Sequence, residues 1–133
     1  MKGGVILKNK FQVTEAELEI LKVIWRNKQT TSKEIVSELL TTTDWKSKTI
    51  HTLISRLVEK DIINVDKSNK KAYIYSPNVS EKEYKKVANE SFINKLYNGS
   101  VNLMLSTFIK ENNLSKQDIQ DLKVLLNDEN KDG

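Results

Sequence analysis

Residues 45–77 read WKSKTIHTLISRLVEKDIINVDKSNKKAYIYSP, and the pattern of apolar side chains changes partway along this stretch. The first part repeats apolar residues with the 3.6-residue period of an α-helix, which we predict to run from Lys46 to Lys60. After Asp61 the apolar residues alternate, as in a half-buried strand, and a polar turn separates two such runs. The stretch therefore predicts one amphipathic helix leading directly into a β-hairpin.

The predicted helix has one apolar face and one polar face that lacks acids over most of its length. The apolar stripe, at spacings of three and four residues, consists of Ile50, Leu53, Ile54, Leu57 and Val58. The outward and flanking positions hold Lys48, Thr49, His51, Thr52, Ser55 and Arg56. No acidic side chain follows until Glu59, although surface helices usually mix acids with bases. This face suits a phosphate-bearing partner in a groove of double-stranded DNA, and an ordinary solvated face is the alternative.

The predicted hairpin carries a cluster of lysines at its turn. Ile63 and Val65 lie on one face of the first strand, and the chain returns through 72–75. The turn between them holds Lys67, Lys70 and Lys71. Lysines there would contact a DNA backbone and supply affinity without sequence information. Protection of a sheet edge against aggregation is the alternative role for these charges.

The composition excludes several classes of function. The chain has 133 residues, 38% of them hydrophobic and 30% charged, as expected for one or two small globular domains. It has no cysteine and one histidine, which removes disulfides and thiol chemistry and leaves no expected metal site or cofactor. No phosphate-binding glycine loop or nucleophile constellation is present, so we expect no enzyme. The longest early apolar run is too short for a signal peptide, and a cytoplasmic protein is expected.

The charge is divided unevenly between the two halves of the chain. Residues 1–77 carry a net charge of +5, and residues 78–133 carry −1. The positive field therefore belongs to the half with the helix and the hairpin. This sign suits nucleic acid, and a membrane surface would respond to it equally. No basic amphipathic terminal helix supports the membrane alternative.

The elements before residue 45 complete a domain over residues 1–77. Residues 1–10 are interpreted as a loose lysine-bearing arm that could touch DNA backbone. Thr14 with Glu17 predicts a capping box for a first helix that ends near Asn27, and Thr31 with Glu34 predicts one for a second helix. Helix, helix, loop, helix and hairpin is the order of a winged helix-turn-helix.

Residues 78–133 are predicted to form a separate helical domain. Ser80 starts a long helix that residues 98–100 interrupt, and two shorter helices follow. About fifty residues cannot bury a stable core alone, so these helices must pack on another surface. A second copy is favoured over an intramolecular helical cap. The predicted dimerisation residues are Tyr84, Val87, Phe92, Leu96, Leu103, Met104, Phe108, Ile119, Leu122 and Leu125.

Beyond these patterns, the chain resembles a known family. Residues 48–57 read KTIHTLISRL and resemble the KTIRTLITRL core of the penicillinase repressors of the BlaI/MecI type. Residues 16–25 and 92–97 also match the family pattern, and the spacing fits from about Val13 to Asn127. The resemblance therefore covers nearly the whole chain and is more specific than a general winged-helix match.

The resemblance implies a homodimeric bacterial repressor that binds inverted repeats in front of antibiotic-resistance or related genes. Lys48, Thr49, His51 and Arg56 fall where the family contacts operator DNA. His51 departs from the family pattern, which has arginine at that position. A histidine cannot reproduce the two parallel hydrogen bonds of arginine to guanine, so operator preference is not carried over.

The resemblance also implies a route of induction. Family members are inactivated when a membrane sensor-transducer with a metalloprotease domain triggers cleavage in the C-terminal region. The family cleaves an Asn-Phe bond, and the matching positions here are Thr107 and Phe108. The phenylalanine is kept and the asparagine is not. The repressor itself is not expected to insert into the membrane.

A sequence-specific repressor is therefore the leading hypothesis. A winged-helix module that docks a protein partner is an alternative from another class, and a non-specific architectural DNA binder is a third. An interaction face should be more apolar than Lys48, Thr52 and Ser55 allow.

Overall fold

The computed structural model describes residues 12–132, with side chains described up to Asp128. The predicted N-terminal arm lies outside the described residues. The elements in chain order are α1 (Glu15–Asn27), β1 (Thr30–Thr31), α2 (Ser32–Thr42), α3 (Ser47–Glu59), β2 (Ile63–Asp66), β3 (Ile74–Pro77), α4 (Glu81–Tyr97), α5 (Val101–Glu111) and α6 (Lys116–Asp132). This mainly helical fold with a small sheet confirms the predicted class.

Both predicted capping boxes at the first two helices are present. Thr14 accepts a hydrogen bond from the backbone N–H of Glu17, and the Glu17 carboxylate accepts one from the backbone of Thr14. Thr31 and Glu34 form the same reciprocal pair at α2. Each box satisfies two backbone donors that a helix N-terminus leaves without partners, and so fixes where the helix begins.

Helix α3 buries the predicted stripe. Ile50, Leu53, Ile54 and Leu57 are each at most 5% exposed, and Val58 is partly buried. Burial of each such side chain contributes roughly 1.5–3 kcal/mol, so this stripe holds α3 against the rest of the domain.

The chain turns sharply at the end of α3. Asp61 has a positive φ of 64°, its N–H bonds the carbonyl of Val58, and the Ile62 N–H bonds the carbonyl of Leu57. This pair of bonds is the Schellman pattern, and the apolar contact that commonly accompanies it fits here because Leu57 and Ile62 are both fully buried. The turn directs the chain from α3 into β2 without a glycine.

The hairpin belongs to a three-stranded antiparallel sheet with the order β1-β3-β2. Strand β2 pairs Val65 with Tyr75, and β1 pairs Thr30 with the same tyrosine from the other side. Strand β1 was not predicted, because two threonines before a helix cap carry no alternating pattern. It ties the start of α2 to the hairpin.

One apolar core joins α1, α2, α3 and the hairpin. Ile35, Val36 and Leu39 of α2 are buried. Ile20 of α1 is fully buried. Among residues 12–128, the buried apolar residues of this core are Ile20, Leu21, Val23, Ile24, Ile35, Val36, Leu39, Ile50, Leu53, Ile54, Leu57, Ile62, Ile63 and Val79.

The described chain divides into two compact units between Ala88 and Asn89, within α4. The first unit thus extends beyond the boundary predicted after Pro77. The reason is contact with α1: the Trp25 indole N–H donates to the Val79 carbonyl at 2.8 Å, and the Tyr84 ring lies 5.6 Å from the Trp25 ring. These contacts hold the first turns of α4 against the first unit.

The second unit contains the rest of α4 together with α5 and α6. Asn98 and Gly99 have positive φ and end α4, and Ser100 caps α5. Ser115 and Asp118 cap α6, which continues to Asp132.

An ion pair with a buried carboxylate joins the start of α1 to the end of α3. Glu17 in the first turn of α1 is 1% exposed, and Lys60, the C-cap residue of α3, donates to its carboxylate at 2.6 Å. Lys60 also donates to the Gln12 carbonyl at 3.2 Å. Burial by itself raises the pKa of Glu17, but the bonds from Lys60 and Thr14 outweigh it and lower the pKa below its ordinary value of 4.5. Glu17 is therefore ionised at neutral pH and holds Lys60 in place.

Replacing Lys60 with methionine should destabilise the fold in a pH-dependent way. At pH 7 the substitution strands a buried carboxylate, and we expect the free energy of unfolding to fall by about 1–3 kcal/mol. A carboxyl with a lowered folded-state pKa stabilises the fold above its unfolded pKa of 4.5 and loses that contribution as pH falls through the folded value. The difference between wild type and K60M should therefore shrink below about pH 4.5, as measured by urea unfolding across this range.

Lys22→Met is the matched control, because Lys22 forms an ion pair of 3.1 Å with Glu19 in which both side chains are about half exposed. Exposed pairs contribute about 0–1 kcal/mol, so K22M should change stability little at any pH. Equal losses in K60M and K22M, or a K60M loss that is constant with pH, would contradict the assigned role of the buried pair.

Candidate nucleic-acid interface

The outer face of α3 is fully open in the described structure. All six predicted contact residues on it are exposed: Lys48, Thr49, His51, Thr52, Ser55 and Arg56. The Thr52 hydroxyl donates to the Lys48 carbonyl at 3.0 Å, which leaves its oxygen lone pairs for a further donor. Two basic groups and several short hydroxyl-bearing side chains thus lie on one helix, at positions from which they can reach a partner together.

The start of α3 differs from that of the other described helices. Lys46 is its N-cap residue and makes no side-chain capping bond. The other five helices described between residues 15 and 132 begin with a hydroxyl that accepts a bond from a first-turn N–H. The first-turn N–H groups of α3 therefore lack this internal acceptor, and a helix N-terminus with free N–H groups favours anions.

Short-range hydrogen bonds shape the hairpin turn, which we call the wing (residues 67–73). The Asp66 carboxylate accepts from the Ser68 hydroxyl at 2.6 Å and from its N–H at 2.9 Å. These bonds from Ser68 lower the pKa of Asp66 below its ordinary value of 3.8. Asn69 accepts from the Lys71 N–H at 3.0 Å. The turn is thus ordered by its own side chains.

The wing lysines are exposed, and none of them forms an ion pair with another described residue. Lys67 lies over the Tyr73 ring, with its Nζ 5.7 Å from the ring centroid. This cation–π contact positions Lys67 without neutralising its charge. The predicted cluster Lys67, Lys70 and Lys71 therefore presents three positive charges at one end of the sheet.

The fold adds a residue that sequence reasoning missed. Lys33, in the first turn of α2, lines a cleft of about 240 Å³ together with Lys70 and Lys71 of the wing. Strand β1 causes this proximity, because its pairing with β3 brings the start of α2 beside the hairpin. In the sequence, Lys33 is only a lysine beside a capping box, and its position near the wing could not be predicted without knowing that β1 pairs with β3.

Among the described residues, no group of three or more acidic or histidine side chains is arranged to hold a metal ion. In the same part of the chain, no helix has the length and apolarity required to cross a membrane.

Most of the predicted dimerisation residues lie on exposed apolar surface. Tyr84 differs from the others because it packs beside Trp25 in the first unit. Val87, Met104 and Leu122 are partly buried. The others are between 39% and 64% exposed, and these are Phe92, Leu96, Leu103, Phe108, Ile119 and Leu125.

The two residues of the predicted cleavage position lie inside α5. The Thr107 hydroxyl donates to the Leu103 carbonyl one turn earlier, at 2.8 Å, and is partly buried. Phe108 is 49% exposed, and its carbonyl accepts the capping bond from the Asn112 N–H. The peptide bond between them is helical in this structure.

Three packed helices followed by a hairpin, with the third helix open on a basic polar face, define the winged helix-turn-helix class. The family model described as penicillinase repressor matches residues 13–128. Because this match spans most of its length, the chain belongs to the penicillinase repressor family.

Individual relatives agree with this placement. The chain is 37% identical over 115 residues to the penicillinase repressor of Bacillus licheniformis, covering 86% of this chain and 89% of that protein. It is 36% identical over 117 residues to the methicillin resistance regulatory protein MecI of Staphylococcus aureus strain N315, covering 88% and 94%. The solution structure of the DNA-binding domain of the repressor BlaI matches with a TM-score of 0.50 and 38% identity, covering 55% of this chain and 88% of that one.

Proposed function

We propose that this protein is a homodimeric transcriptional repressor that binds an inverted-repeat operator, controls β-lactam-resistance or related genes, and is relieved by proteolysis. The observation that carries the DNA-binding proposal is the exposed polar and basic face of α3, which has no acid before Glu59 in its last turn, beside the cationic wing, in a chain of the penicillinase repressor family. A repressor acts where the operator is, so the cytoplasm is its proposed location. Binding needs no catalysis, and we propose no enzymatic activity.

In this proposal α3 enters the major groove. An α-helix fits that groove, and side chains on its outer face reach base edges. Thr49, Thr52 and Arg56 are the proposed groove contacts, with Ser55 beside them. Lys48 and His51 are assigned mixed contacts to phosphate or base. The N-terminus of α3, which has no side-chain cap, would favour a DNA phosphate bound next to its first-turn N–H groups.

The wing and the start of α2 hold the DNA backbone. Lys67, Lys70 and Lys71 are exposed, and Lys33 lies across the cleft from the last two. Lysine contacts to phosphate release counterions and add affinity that is independent of sequence. This set positions the domain, and α3 reads the bases.

Selection of preferred duplexes from a random pool, followed by salt-dependent gel-shift titration, tests the function. A repressor of this kind should enrich a palindrome with half-sites related by a whole number of helical turns. A specificity ratio near one would instead support a non-specific architectural binder. Absence of duplex binding would support a protein-interaction module.

Arg56→Ala should weaken binding to the selected operator by about 1–3 kcal/mol while leaving affinity for random duplex nearly unchanged, if Arg56 reads a base. Arg56 is exposed and forms no ion pair with another described residue, so its loss should not unfold the domain. Gel-shift titration against both duplexes measures the two affinities. An unchanged operator affinity would remove this assignment.

Lys70→Ala serves as the comparison variant, since a phosphate contact predicts a different result. Affinity should fall for operator and random duplex alike, and the slope of log K against log salt should decrease by about one unit. Lys86→Ala, an exposed lysine of α4 away from the wing, should leave both quantities unchanged.

The apolar surface of the second unit supports the proposed homodimer. Leu96 is 64% exposed and Leu125 is 61% exposed, which are high values for large apolar side chains. Exposed apolar side chains that gather into a patch commonly mark a protein interface. The proposed interface residues are Tyr84, Val87, Phe92, Leu96, Leu103, Met104, Phe108, Ile119, Leu122 and Leu125.

Leu96→Asp should therefore weaken dimerisation by at least about tenfold, because burying an unpaired carboxylate is costly. Sedimentation equilibrium measures the dissociation constant, and circular dichroism verifies helix content. Asn94→Asp is the matched control, with the same change of charge at an exposed polar position of the same helix. Equal behaviour of the two variants would contradict a role for Leu96 in the interface.

Induction by proteolysis is proposed at the Thr107–Phe108 bond, through a membrane sensor-transducer metalloprotease. Proteases bind their substrates extended, so the turn of α5 that holds Thr107 would have to open before cleavage. Mass spectrometry of the chain from induced cells that contain the cognate sensor tests this proposal. Persistence of intact chain under induction would refute it, and fragments ending at Thr107 would support it.

A further inference from the structure

A cleft of about 500 Å³ lies between α1 and the first turns of α4, away from α3 and the wing. Its lining residues are Leu18, Lys22, Trp25, Arg26, Glu81, Tyr84 and Lys85, all within the first compact unit. Small-molecule sites typically have volumes of about 300–1,000 Å³, a range that includes this cleft. None of its lining residues belongs to the proposed DNA interface.

Two aromatic rings form the apolar wall of the cleft. The Trp25 and Tyr84 rings are inclined at 49° with their centroids 5.6 Å apart. The Trp25 indole N–H donates to the Val79 carbonyl at 2.8 Å, which fixes the orientation of the ring. Leu18 extends this wall. A planar aromatic ligand can stack or pack edge-on against such a surface without rearranging it.

The rim of the cleft is positively charged. Lys22, Arg26 and Lys85 outnumber the one acidic lining residue, Glu81. Arg26 pairs with Glu38 at 2.6 Å, so the two lysines are the groups available to a ligand. Lys22 and Lys85 pair with Glu19 and Glu81 at 3.1 Å, but both of these pairs are about half exposed or more. Exposed pairs contribute little, so these ammonium groups can turn to an incoming anion at small cost.

We propose that this cleft binds a small planar aromatic carboxylate, with the ring against Trp25 and Tyr84 and the carboxylate at the lysine rim. The wall selects for aromatic shape, and the rim selects for negative charge. This site would give the protein a small-molecule ligand that is recognised independently of DNA.

A neighbouring cleft provides an internal comparison. It has Trp45 and Leu18 in its wall, but its charged lining residues are Glu15, Glu19 and Lys22. Its acids outnumber its base, so an aromatic carboxylate should be disfavoured there. The two tryptophans of the chain therefore report on clefts of opposite charge.

Titration of the ¹⁵N-labelled full-length chain with indole-3-acetate, followed through the two indole N–H signals, tests the proposal. The Trp25 signal should shift saturably, while the Trp45 signal should not follow the same curve. Trp45→Phe assigns the signals. Indole-3-acetamide, which lacks the charge, and cyclohexylacetate, which lacks the aromatic ring, should each bind at least about threefold more weakly.

The double variant Lys22→Gln/Lys85→Gln separates charge recognition from general packing. It should bind the acid and the amide with nearly equal affinity, while the affinity for the amide stays as in wild type. A Trp25 signal that does not move, or both signals following one curve, would overturn the proposed site. Equal binding of acid and amide by the wild type would overturn the role of the rim.

Discussion

The burial of one face of α3 is the constraint on which the rest of the first unit depends. Ile50, Leu53, Ile54 and Leu57 take part in the core, so the opposite side of the helix is forced outward. Six polar or basic side chains on that side are exposed as a geometric consequence. The same packing that stabilises the domain therefore sets which residues a DNA groove would meet.

The two ends of α3 differ in how they are held. At its C-terminus, the Schellman turn at Asp61 and the bond from Lys60 to buried Glu17 fix the helix to α1 and to the hairpin. At its N-terminus, Lys46 makes no side-chain capping bond. The end proposed to face phosphate thus keeps its backbone donors, whereas the end within the core is tied down.

The sequence predicted features that depend on local pattern. The capping boxes at Thr14 and Thr31, the stripe of α3 and the break near Gly99 all follow from neighbours along the chain. Features that depend on distant pairing were missed. Strand β1, the burial of Glu17 against Lys60, and the approach of Lys33 to the wing each join segments far apart in sequence. The match of the family model then adds the likeness to repressors, but no contact of an individual side chain with DNA.

The helices of the second unit carry more apolar surface than the single chain buries. No residue of α4 or α5 is buried in the single chain, although both helices carry large apolar side chains. Helices of this length are marginal in water by themselves and depend on packing of an apolar face. In the proposed homodimer, the free energy that orders them comes from a second copy, whose surface is self-complementary. In that case folding of the second unit and pairing of two DNA-reading helices are the same equilibrium, and both depend on protein concentration.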